Sequence, residues 1–411
     1  MKKHVVFVLN ALPCGGVERS FLSYLSLFDP AQFEITVLLL KKQGEWLSEL
    51  PAWVKVEELR LLPADSRDVA LGRTGMVLAA LRRLDLPRLA LFAFRLLKPR
   101  AWSKFGIGSM NSFIMDAVRA AKNLYPKNFK FEYDLVVAYG CYHHSAAVTQ
   151  ALFKGRQTAV WFHSEDQFRT EGKSFYRWLY QRFDHRFCAS QTLAEAHNRD
   201  YCDGRKCFEH FPHYLNVPWY QKSAMEGVGF DDGYRGVRIL TVGRLSMVQK
   251  GADIAIAAAK LLRAADKDFR WYWVGGAATA EEEKPCREMI RENELEHAFV
   301  LLGTQNNPYP YYRQCDIYVQ PSRFEGYCLT VAEARAFAKP IVATDFSGAR
   351  EQLKDGLTGT IVKTVTPEAI ARAVANLIDR HEVRERYSAA LGSEVAGNKQ
   401  LVREKWEELF K

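Results

Sequence analysis

The chain has 411 residues, of which 48% are hydrophobic and 26% are charged, with eight cysteines and a formal net charge of +9. This length and composition exclude a disordered chain and a small disulfide-stapled scaffold, and they allow two or three domains with a large core. No stretch approaches the ~20 apolar residues of a membrane-spanning helix, so we expect a chain that does not cross a bilayer. The cysteines form no Cys-x-x-Cys pair, and Cys188 and Cys328 fall in apolar patterns, which predicts buried thiols in a reducing cytosol.

The first predicted element is a buried strand that ends at Leu9. Its apolar run is too short for a signal peptide and leads directly into a glycine turn. Gly15 and Gly16 lie in that turn, and paired glycines let the backbone approach a ligand closely. A plain turn between a strand and a helix is the alternative interpretation. Residues Glu34 to Leu40 are predicted as the second strand.

Residues 61–130 interrupt the alternation of strands and helices and hold most of the positive charge. Between Val69 and Lys104, eight basic residues stand against one acid, a balance of +7. The apolar run within 69–104 fits a helix on an anionic membrane surface, where each basic residue contributes about 1 kcal/mol. A helical insertion packed on the domain with a solvated basic face is the alternative. We expect no nucleic acid as partner, because no aromatic-interleaved groove accompanies the charge.

Regular α/β order returns after residue 130. A strand near Tyr139 is followed by His143 and His144 in a predicted loop, where adjacent side chains of an extended segment point to opposite faces and hold no metal. A contact between one of these histidines and a bound ligand stays open. The strand Thr158 to Phe162 places His163 at the carboxyl edge of the sheet, either as a ligand contact or as a core histidine. Residues Trp219 to Gly236 are predicted as a linker to the second domain.

Arg244 and Lys250 surround the glycine turn after a strand near Val242. At the end of a strand, the planar guanidinium of Arg244 and the compact ammonium of Lys250 can bind the oxygens of a diphosphate. Two isolated surface cations are the alternative.

Residues Asp316 to Thr344 are predicted as strand, turn, helix and strand, with the helix over Tyr327 to Ala338. A helix that follows a buried parallel strand points its free N–H groups at the carboxyl edge, so a phosphate could lie over Cys328, Leu329 and Thr330. Glu325 and Glu333 flank that helix start and suit sugar hydroxyls, at about 1.5–3 kcal/mol for each charge-assisted hydrogen bond. The alternative is that Glu325 complements the helix dipole and Glu333 is a solvated helix residue.

Residues 325–342 read Glu-Gly-aromatic-x-Leu-x-x-x-Glu-Ala-x-Ala-x-x-x-Pro-Ile-Val, which resembles the E-x7-E signature of retaining glycosyltransferases of family 4. Cys328 and Ala338 stand where the family often has glycine. The resemblance implies an α/β protein of GT-B fold, with two Rossmann-like doubly wound domains facing a central cleft. It implies an acceptor-side domain at 1–215, a nucleotide-sugar domain at 216–395, and a C-terminal helix at 396–411 that crosses back to the first domain.

The resemblance also assigns roles to individual residues. Gly243-Arg244-Leu245 and Lys250-Gly251 resemble the family's diphosphate motif, with the Arg and the Lys one residue further apart than usual. The implied site residues are Glu325 and His163 at the donor sugar, Arg244, Lys250, Cys328, Leu329 and Thr330 at the diphosphate, Glu333 at the ribose, Gly303 and Thr304 at the nucleobase edge, and Gly15 and Gly16 in the donor and acceptor loop.

The implied function is transfer of a sugar, with retention, from a UDP- or GDP-linked donor to a hydroxyl of a saccharide acceptor. We expect no cofactor and no metal, because the Asp-Lys-Asp run at residue 266 precedes a strand and so lies at the wrong sheet edge. The basic insertion suggests a lipid-linked acceptor in bacterial surface polysaccharide assembly, and a cytoplasmic protein peripheral on the inner face of the plasma membrane. A nucleotide-sugar epimerase of GT-B fold and a non-catalytic, membrane-docked scaffold are the alternatives.

Overall fold

A computed structural model describes residues 2–13, 15–59, 133–140, 143–153, 157–163, 173–202, 204, 206–394 and 398–410. The predicted insertion 61–130, with its basic segment 69–104, lies outside the described residues. The chain divides into two compact units. Unit 1 comprises Met1–Ala189, Ala194–Phe211 and Arg403–Lys411, and unit 2 comprises Ser190–Leu193 and Pro212–Val402. The sequence analysis placed the division at residues 215 and 216.

Unit 1 is built on a parallel sheet with the strand order β3-β2-β1-β4-β5-β6-β7. Its strands are β1 (Lys3–Leu9), β2 (Phe33–Leu39), β3 (Lys55–Glu58), β4 (Leu135–Ala138), β5 (Gln157–Phe162), β6 (His185–Cys188) and β7 (Glu209–His210). Its described helices are α1 (Gly16–Leu25), the 3₁₀ helix Glu45–Glu49, α2 (His143–Leu152), α3 (Lys173–Tyr180) and α4 (Gln191–Tyr201). Val5 of the central strand pairs with Ile35 on one side and Leu135 on the other. The central strands are apolar along nearly their whole length because both faces of the sheet are covered.

Aromatic rings fill the core of unit 1. Phe7 of β1 lies 5.1 Å from Phe21 of α1 between ring centroids, and Tyr24 lies 5.2 Å from Trp161 of β5. Trp406 belongs to the last helix, α13 (Lys399–Glu408), and its ring lies 5.9 Å from that of Phe7. The last helix therefore packs into the same core as the first strand.

Unit 2 has a parallel sheet with the strand order β10-β9-β8-β11-β12-β13. The strands are β8 (Val237–Val242), β9 (Phe269–Val274), β10 (Phe299–Gly303), β11 (Ile317–Gln320), β12 (Ile341–Thr344) and β13 (Thr360–Val362). The helices before the last one are α5 (Val217–Ser223), α6 (Ala252–Ala264), α7 (Ala280–Glu292), α8 (Tyr309–Gln314), α9 (Leu329–Ala336), α10 (Ala349–Gln352), α11 (Pro367–Asp379) and α12 (His381–Glu394). Each sheet reverses its strand order once near the middle, at β1 and β4 in unit 1 and at β8 and β11 in unit 2. Such reversal points are where doubly wound proteins bind ligands, outside the carboxyl ends of the strands.

The predicted α/β class, with two doubly wound domains, is confirmed by these two sheets. Cys188 and Cys328 are confirmed as buried free thiols. Two local predictions were wrong. His143 and His144 begin helix α2 instead of lying in a loop, and the predicted linker from Trp219 overlaps helix α5.

The predicted helix Tyr327 to Ala338 is shorter than expected, with α9 running only from Leu329 to Ala336. Cys328 and Ala338 have positive φ values of 69° and 50°. A right-handed helix cannot include a left-handed residue, so these two positions end it on both sides.

Candidate functional site

The reversal point of the unit 2 sheet holds a partly buried ion pair. Lys250 follows β8 and Glu325 follows β11, and Lys250 Nζ lies 2.5 Å from Glu325 Oε1. Glu325 is only 7% exposed. Burial by itself lowers the pKa of Lys250, but the adjacent Glu325 carboxylate outweighs burial and holds that pKa above its usual value. The lysine therefore stays charged where a diphosphate is expected.

A network of buried hydrogen bonds orients the Glu325 carboxylate. Ser322 Oγ donates to Glu325 Oε1 at 2.8 Å, and Gln320 Nε2 donates to Ser322 Oγ at 2.8 Å. The hydroxyls of Tyr318 and Thr330 donate to Gln320 Oε1 at 2.6 and 3.0 Å. Because a satisfied network of this kind has a single low-energy arrangement, it fixes the Glu325 carboxylate beside Lys250.

Gln320 and Ser322 are contacts that the sequence analysis missed. Both are fully buried, although each has a polar side chain. The sequence offered one sign of these contacts, because Gln320 ends a buried strand and Ser322 follows it, at the carboxyl edge where doubly wound domains bind ligands.

Arg323 holds the turn after β11 against the loop after β8. Its guanidinium donates to both Asp253 oxygens, at 2.8 and 2.6 Å, and its backbone N–H donates to Gln249 O at 2.8 Å. The hydrogen bond to Asp253 raises the pKa of Arg323. Gly251 has a φ of 70°, and a side chain there would collide with the Pro321 carbonyl oxygen. The two loops that carry Lys250 and Glu325 are thus locked together.

The turn before α9 brings backbone close to the site. Cys328 caps the helix in the left-handed conformation, and burial raises the pKa of its thiol to about 12, so the thiol is neutral. Gly348 packs on this turn, since a Cβ there would lie 2.7 Å from Gly326 O. The N–H groups of Leu329 and Thr330 belong to the first turn of α9, which has no intrahelical acceptors for them. Whether they bind a phosphate stays a prediction.

Arg244 is on the same loop as Lys250. Its side chain is exposed, and its Nη2 donates to Gln249 Oε1 at 3.1 Å. The charge of Arg244 acts to lower the pKa of Lys250, so the two cations lie near one another. Lys250 pairs with a carboxylate, whereas Arg244 forms no ion pair with any residue that the structure describes, so its guanidinium can bind an anionic ligand.

Glu333 is buried within unit 2, with 1% of its surface exposed. Tyr309 donates its hydroxyl to Glu333 Oε1 at 3.2 Å, and Tyr312 donates to Oε2 at 3.0 Å. The interpretation of Glu333 as a solvated helix residue is therefore wrong. Its role at a ribose stays a prediction.

The predicted nucleobase edge lies at the end of β10. Gly303 has a φ of 67° and open space where a side chain would point. Thr304 is exposed, and its Oγ1 accepts a hydrogen bond from the Gly276 N–H at 3.2 Å. Backbone groups at this edge are thus accessible next to the neighbouring strand β9.

The remaining predicted residues belong to unit 1. Gly15 caps α1 and Gly16 begins it, directly after the loop that follows β1. His163 follows β5, its ring centroid lies 5.0 Å from that of Tyr139, and burial lowers its pKa to about 3. The imidazole is therefore neutral near pH 7, which suits a hydrogen bond with an uncharged group.

Glu18 is a second residue that the sequence analysis missed. It lies in the first turn of α1, is 5% exposed, and burial raises its pKa to about 7. The sequence offered one sign of this residue. Glu18 stands three residues after Gly15, and a glutamate at that position of a helix can contact the helix cap.

Within the described residues, no group of three or more His, Cys, Asp or Glu side chains is arranged to hold a metal ion. Asp268 precedes β9 and accepts a hydrogen bond from the Tyr234 hydroxyl at 2.7 Å. Among the helices that the structure describes, none combines the length and the hydrophobicity that a bilayer crossing requires.

Comparison with known proteins bears on the segment that contains the Lys250–Glu325 pair. Residues 235–391 match the family model of glycosyl transferases group 1. Over 167 residues the chain is 29% identical to N-acetylgalactosamine-N,N'-diacetylbacillosaminyl-diphospho-undecaprenol 4-alpha-N-acetylgalactosaminyltransferase of Campylobacter jejuni, covering 40% of this chain and 43% of that protein. Over 184 residues it is 29% identical to the lipopolysaccharide core biosynthesis mannosyltransferase LpsB of Rhizobium meliloti, covering 44% and 50%. The match therefore spans half or less of the length of these two relatives.

The whole chain resembles solved structures more broadly. The crystal structure of Anabaena HepE in complex with UDP and glucose aligns with a TM-score of 0.71 and 17% identity, over 98% of both chains. At this identity the likeness shows the fold alone. The chain has the GT-B fold that the sequence resemblance implied.

Proposed function

We propose that this chain is a retaining glycosyltransferase of family 4, which moves a sugar from a nucleotide-sugar to a hydroxyl of a saccharide acceptor. The observation that carries the proposal is the partly buried Lys250–Glu325 pair at the reversal point of the unit 2 sheet, beside the first turn of α9. A fixed cation, an exposed arginine and free helix N–H groups together form a site for a diphosphate. The family match over residues 235–391 supports the same assignment.

In this proposal, each part of the unit 2 site has a separate role. Arg244, Lys250 and the N–H groups of Leu329 and Thr330 take up the charge that develops on the leaving nucleoside diphosphate. They do so without a metal ion or a cofactor. Glu325 stabilises positive charge on the sugar instead of attacking it, because its Oε1 is held by Lys250 and by Ser322.

Two further features support a lipid-linked acceptor. The Campylobacter relative is named for a diphospho-undecaprenol-linked substrate, and the Rhizobium relative for lipopolysaccharide core biosynthesis. The balance of +7 between Val69 and Lys104 would favour an anionic membrane surface. We therefore place the protein in polysaccharide assembly at the cytoplasmic face of the plasma membrane, with a UDP- or GDP-linked donor.

The test is thermal unfolding of the full chain in the presence of UDP, GDP, ADP, CMP and TDP and their sugars, with EDTA throughout. A ligand at 100 times its Kd adds about 2.7 kcal/mol to the free energy of unfolding, which gives a measurable rise in Tm. We expect a rise with one nucleotide class and a much smaller rise for Lys250→Met. Lys260→Met is the matched control, because Lys260 is an exposed residue of α6. No rise with any nucleotide, or an equal rise for Lys250→Met, would contradict the proposal.

A further inference from the structure

Two cysteines of unit 1 lie in contact between α4 and β7. Cys202 directly follows α4, and Cys207 comes two residues before β7. Both are thiols, and the Cys202 thiol is in hydrogen-bonding contact with the Cys207 thiol. A disulfide forms without backbone movement only where the two cysteines already lie close together. The contact between the thiols shows that folding has met this condition.

Asn198 of α4 holds the backbone on both sides of the pair. Its carbonyl oxygen accepts from the Cys202 N–H at 3.1 Å, and its Oδ1 accepts from the Cys207 N–H at 2.7 Å. Asn198 Nδ2 also donates to Phe208 O at 2.9 Å. Arg186 adds a hydrogen bond from its Nε to Cys207 O at 2.8 Å. Both cysteines are therefore anchored to one residue, which fixes the distance between their backbones.

A cavity of about 90 Å³ lies beside the two cysteines. Its lining includes Cys202, Cys207, Arg177 and Arg186. Cys207 is half-buried, whereas Cys202 is only 4% exposed. A space of this size admits a few molecules as small as water, whose share of the liquid volume is about 30 Å³. An oxidant as small as hydrogen peroxide can therefore approach the Cys207 sulfur.

The surroundings of Cys202 determine the order in which the two sulfurs react. Burial raises the pKa of Cys202, and the neighbouring Cys207 thiol raises it further. Arg186 and Arg177 act in the opposite direction, but the pKa stays above its usual value. Cys202 is therefore a neutral thiol near pH 7, and a neutral thiol is a poor nucleophile. Cys207, the more exposed of the two, is the sulfur that meets an oxidant first.

We propose that Cys202 and Cys207 form a modification site, at which hydrogen peroxide oxidises the two thiols to a reversible disulfide. The Cys207 thiolate forms a bond to one peroxide oxygen, the O–O bond breaks, and the other oxygen leaves as hydroxide, which takes a proton from water. The Cys202 sulfur then bonds to the Cys207 sulfur, and the S–O bond of the sulfenic acid breaks. The hydroxide that leaves takes the Cys202 proton. Two thiols are oxidised, and one peroxide is reduced to two molecules of water.

The disulfide joins the end of α4 to the segment before β7, the edge strand of the unit 1 sheet. It agrees with the reducing cytosol that the sequence predicts, because disulfides of cytosolic proteins are usually transient and redox-sensing. A dithiol reductant restores both thiols by exchange. The inference does not depend on the proposed function, since both cysteines belong to unit 1 and the proposed diphosphate site belongs to unit 2.

The test maps the disulfide in the full chain by mass spectrometry. The reduced protein is treated with hydrogen peroxide, the remaining thiols are blocked with N-ethylmaleimide, and the chain is denatured and digested with trypsin without a reductant. Arg205 and Lys206 stand between the two cysteines, so cleavage leaves one cysteine in peptide 200–205 and the other in peptide 207–222. We expect these peptides as a disulfide-linked pair that dithiothreitol separates. Cys207 should lose maleimide labelling at least about tenfold faster than the buried Cys286.

Cys202→Ala separates the two steps of the oxidation. Without the second thiol, Cys207 should stop at the sulfenic acid, which dimedone traps, and no linked pair should form. Cys286→Ala is the matched control, because Cys286 is also a buried thiol but belongs to unit 2, and it should form the linked pair as wild type does. Unlinked peptides from wild type, at a peroxide concentration that also oxidises Cys286, would overturn the inference, as would a disulfide from Cys207 to another cysteine.

Discussion

Lys250 is partly buried and Glu18 is buried, and their surroundings favour the charged form of Lys250 and the neutral form of Glu18. Lys250 lies against a carboxylate, which holds its pKa above the usual value and keeps the ammonium charged. Glu18 has no such cationic partner among the described residues, and burial raises its pKa to about 7. A fixed charge suits the binding of an anion, whereas a group that titrates near neutral pH suits proton transfer.

The raised pKa of Glu18 predicts a loss of stability with increasing pH. Its pKa is about 7 in the folded chain against a usual value of 4.5. Between these values the folded state binds the proton more tightly, so the stabilisation is complete below 4.5 and is lost as pH rises through 7. Glu18→Gln removes the buried charge and should therefore raise the free energy of unfolding at pH 8, by up to about 3 kcal/mol, with little change at pH 4.5.

Urea unfolding at pH 4.5 and pH 8 measures this difference. Glu49→Gln, an exposed change in the same unit, should shift the midpoint by the same small amount at both pH values. A Glu18→Gln midpoint that moves equally at both pH values would show that Glu18 does not titrate between them.

At the scale of elements, three helices of unit 2 end in the same hydrogen-bonded motif without glycine. After α9, Ala338 N–H donates to Arg335 O at 2.8 Å and Lys339 N–H donates to Ala334 O at 3.0 Å. This is the Schellman pattern, in which the residue with positive φ is usually glycine. The equivalent residues after α6 and α7 are Asp266 and Glu294, with φ values of 52° and 53°. Each of these helix ends therefore holds a side chain in a conformation that favours glycine.

Ala338→Gly should raise the free energy of unfolding by about 1 kcal/mol, because the left-handed conformation is unfavourable by that amount for a residue with a Cβ. Ala334→Gly, inside the same helix, is the matched control and should lower it by about 1 kcal/mol. Urea unfolding of the two variants provides the measurement. A loss of stability in both would mean that the entropy of the unfolded chain outweighs the strain at residue 338.

The bounds of one strand and one helix show which features of secondary structure the sequence predicts and which it does not. The strand Thr158 to Phe162 was predicted within one residue of its observed bounds, Gln157–Phe162, because a short apolar run with β-branched and aromatic residues is typical of a buried strand. The boundaries of α9 were not predicted correctly, because the left-handed conformation of Cys328 depends on how Gly348 and Gln352 pack against its turn. Backbone conformation at a turn is decided by tertiary contacts that a local pattern does not contain.

On the scale of the whole molecule, the sequence indicated two doubly wound domains and a C-terminal helix that returns to the first domain, but not the exact segments of each unit. Ser190–Leu193 clusters with unit 2, and Arg403–Lys411 clusters with unit 1. Trp406 shows the physical reason, because its ring packs with Phe7 at the other end of the chain. The buried network of Gln320 and Ser322 was missed for the same reason, since its partners are brought together only by folding.

Substitutions of Glu325 and of Glu333 should affect turnover and nucleotide binding differently in the full chain. If Glu333 binds the ribose as predicted, Glu333→Ala removes charge-assisted hydrogen bonds worth about 1.5–3 kcal/mol each and should weaken nucleotide binding about 10- to 100-fold. Glu325→Gln keeps the size of the side chain and removes its charge, so kcat should fall while the nucleotide Kd stays close to wild type. Calorimetric titration with the nucleotide, and initial rates at saturating donor, measure the two quantities.

Glu333 requires a control, because its burial gives it a structural role as well. Tyr312→Phe removes one of the hydroxyls that donate to Glu333 and leaves the carboxylate in place. If Glu333 binds the ribose, Tyr312→Phe should lower the free energy of unfolding by about 1 kcal/mol with a small effect on nucleotide affinity. Glu333→Ala should lower both. Equal nucleotide affinity for wild type and Glu333→Ala would remove the ribose assignment and leave Glu333 as a buried anchor between α8 and α9.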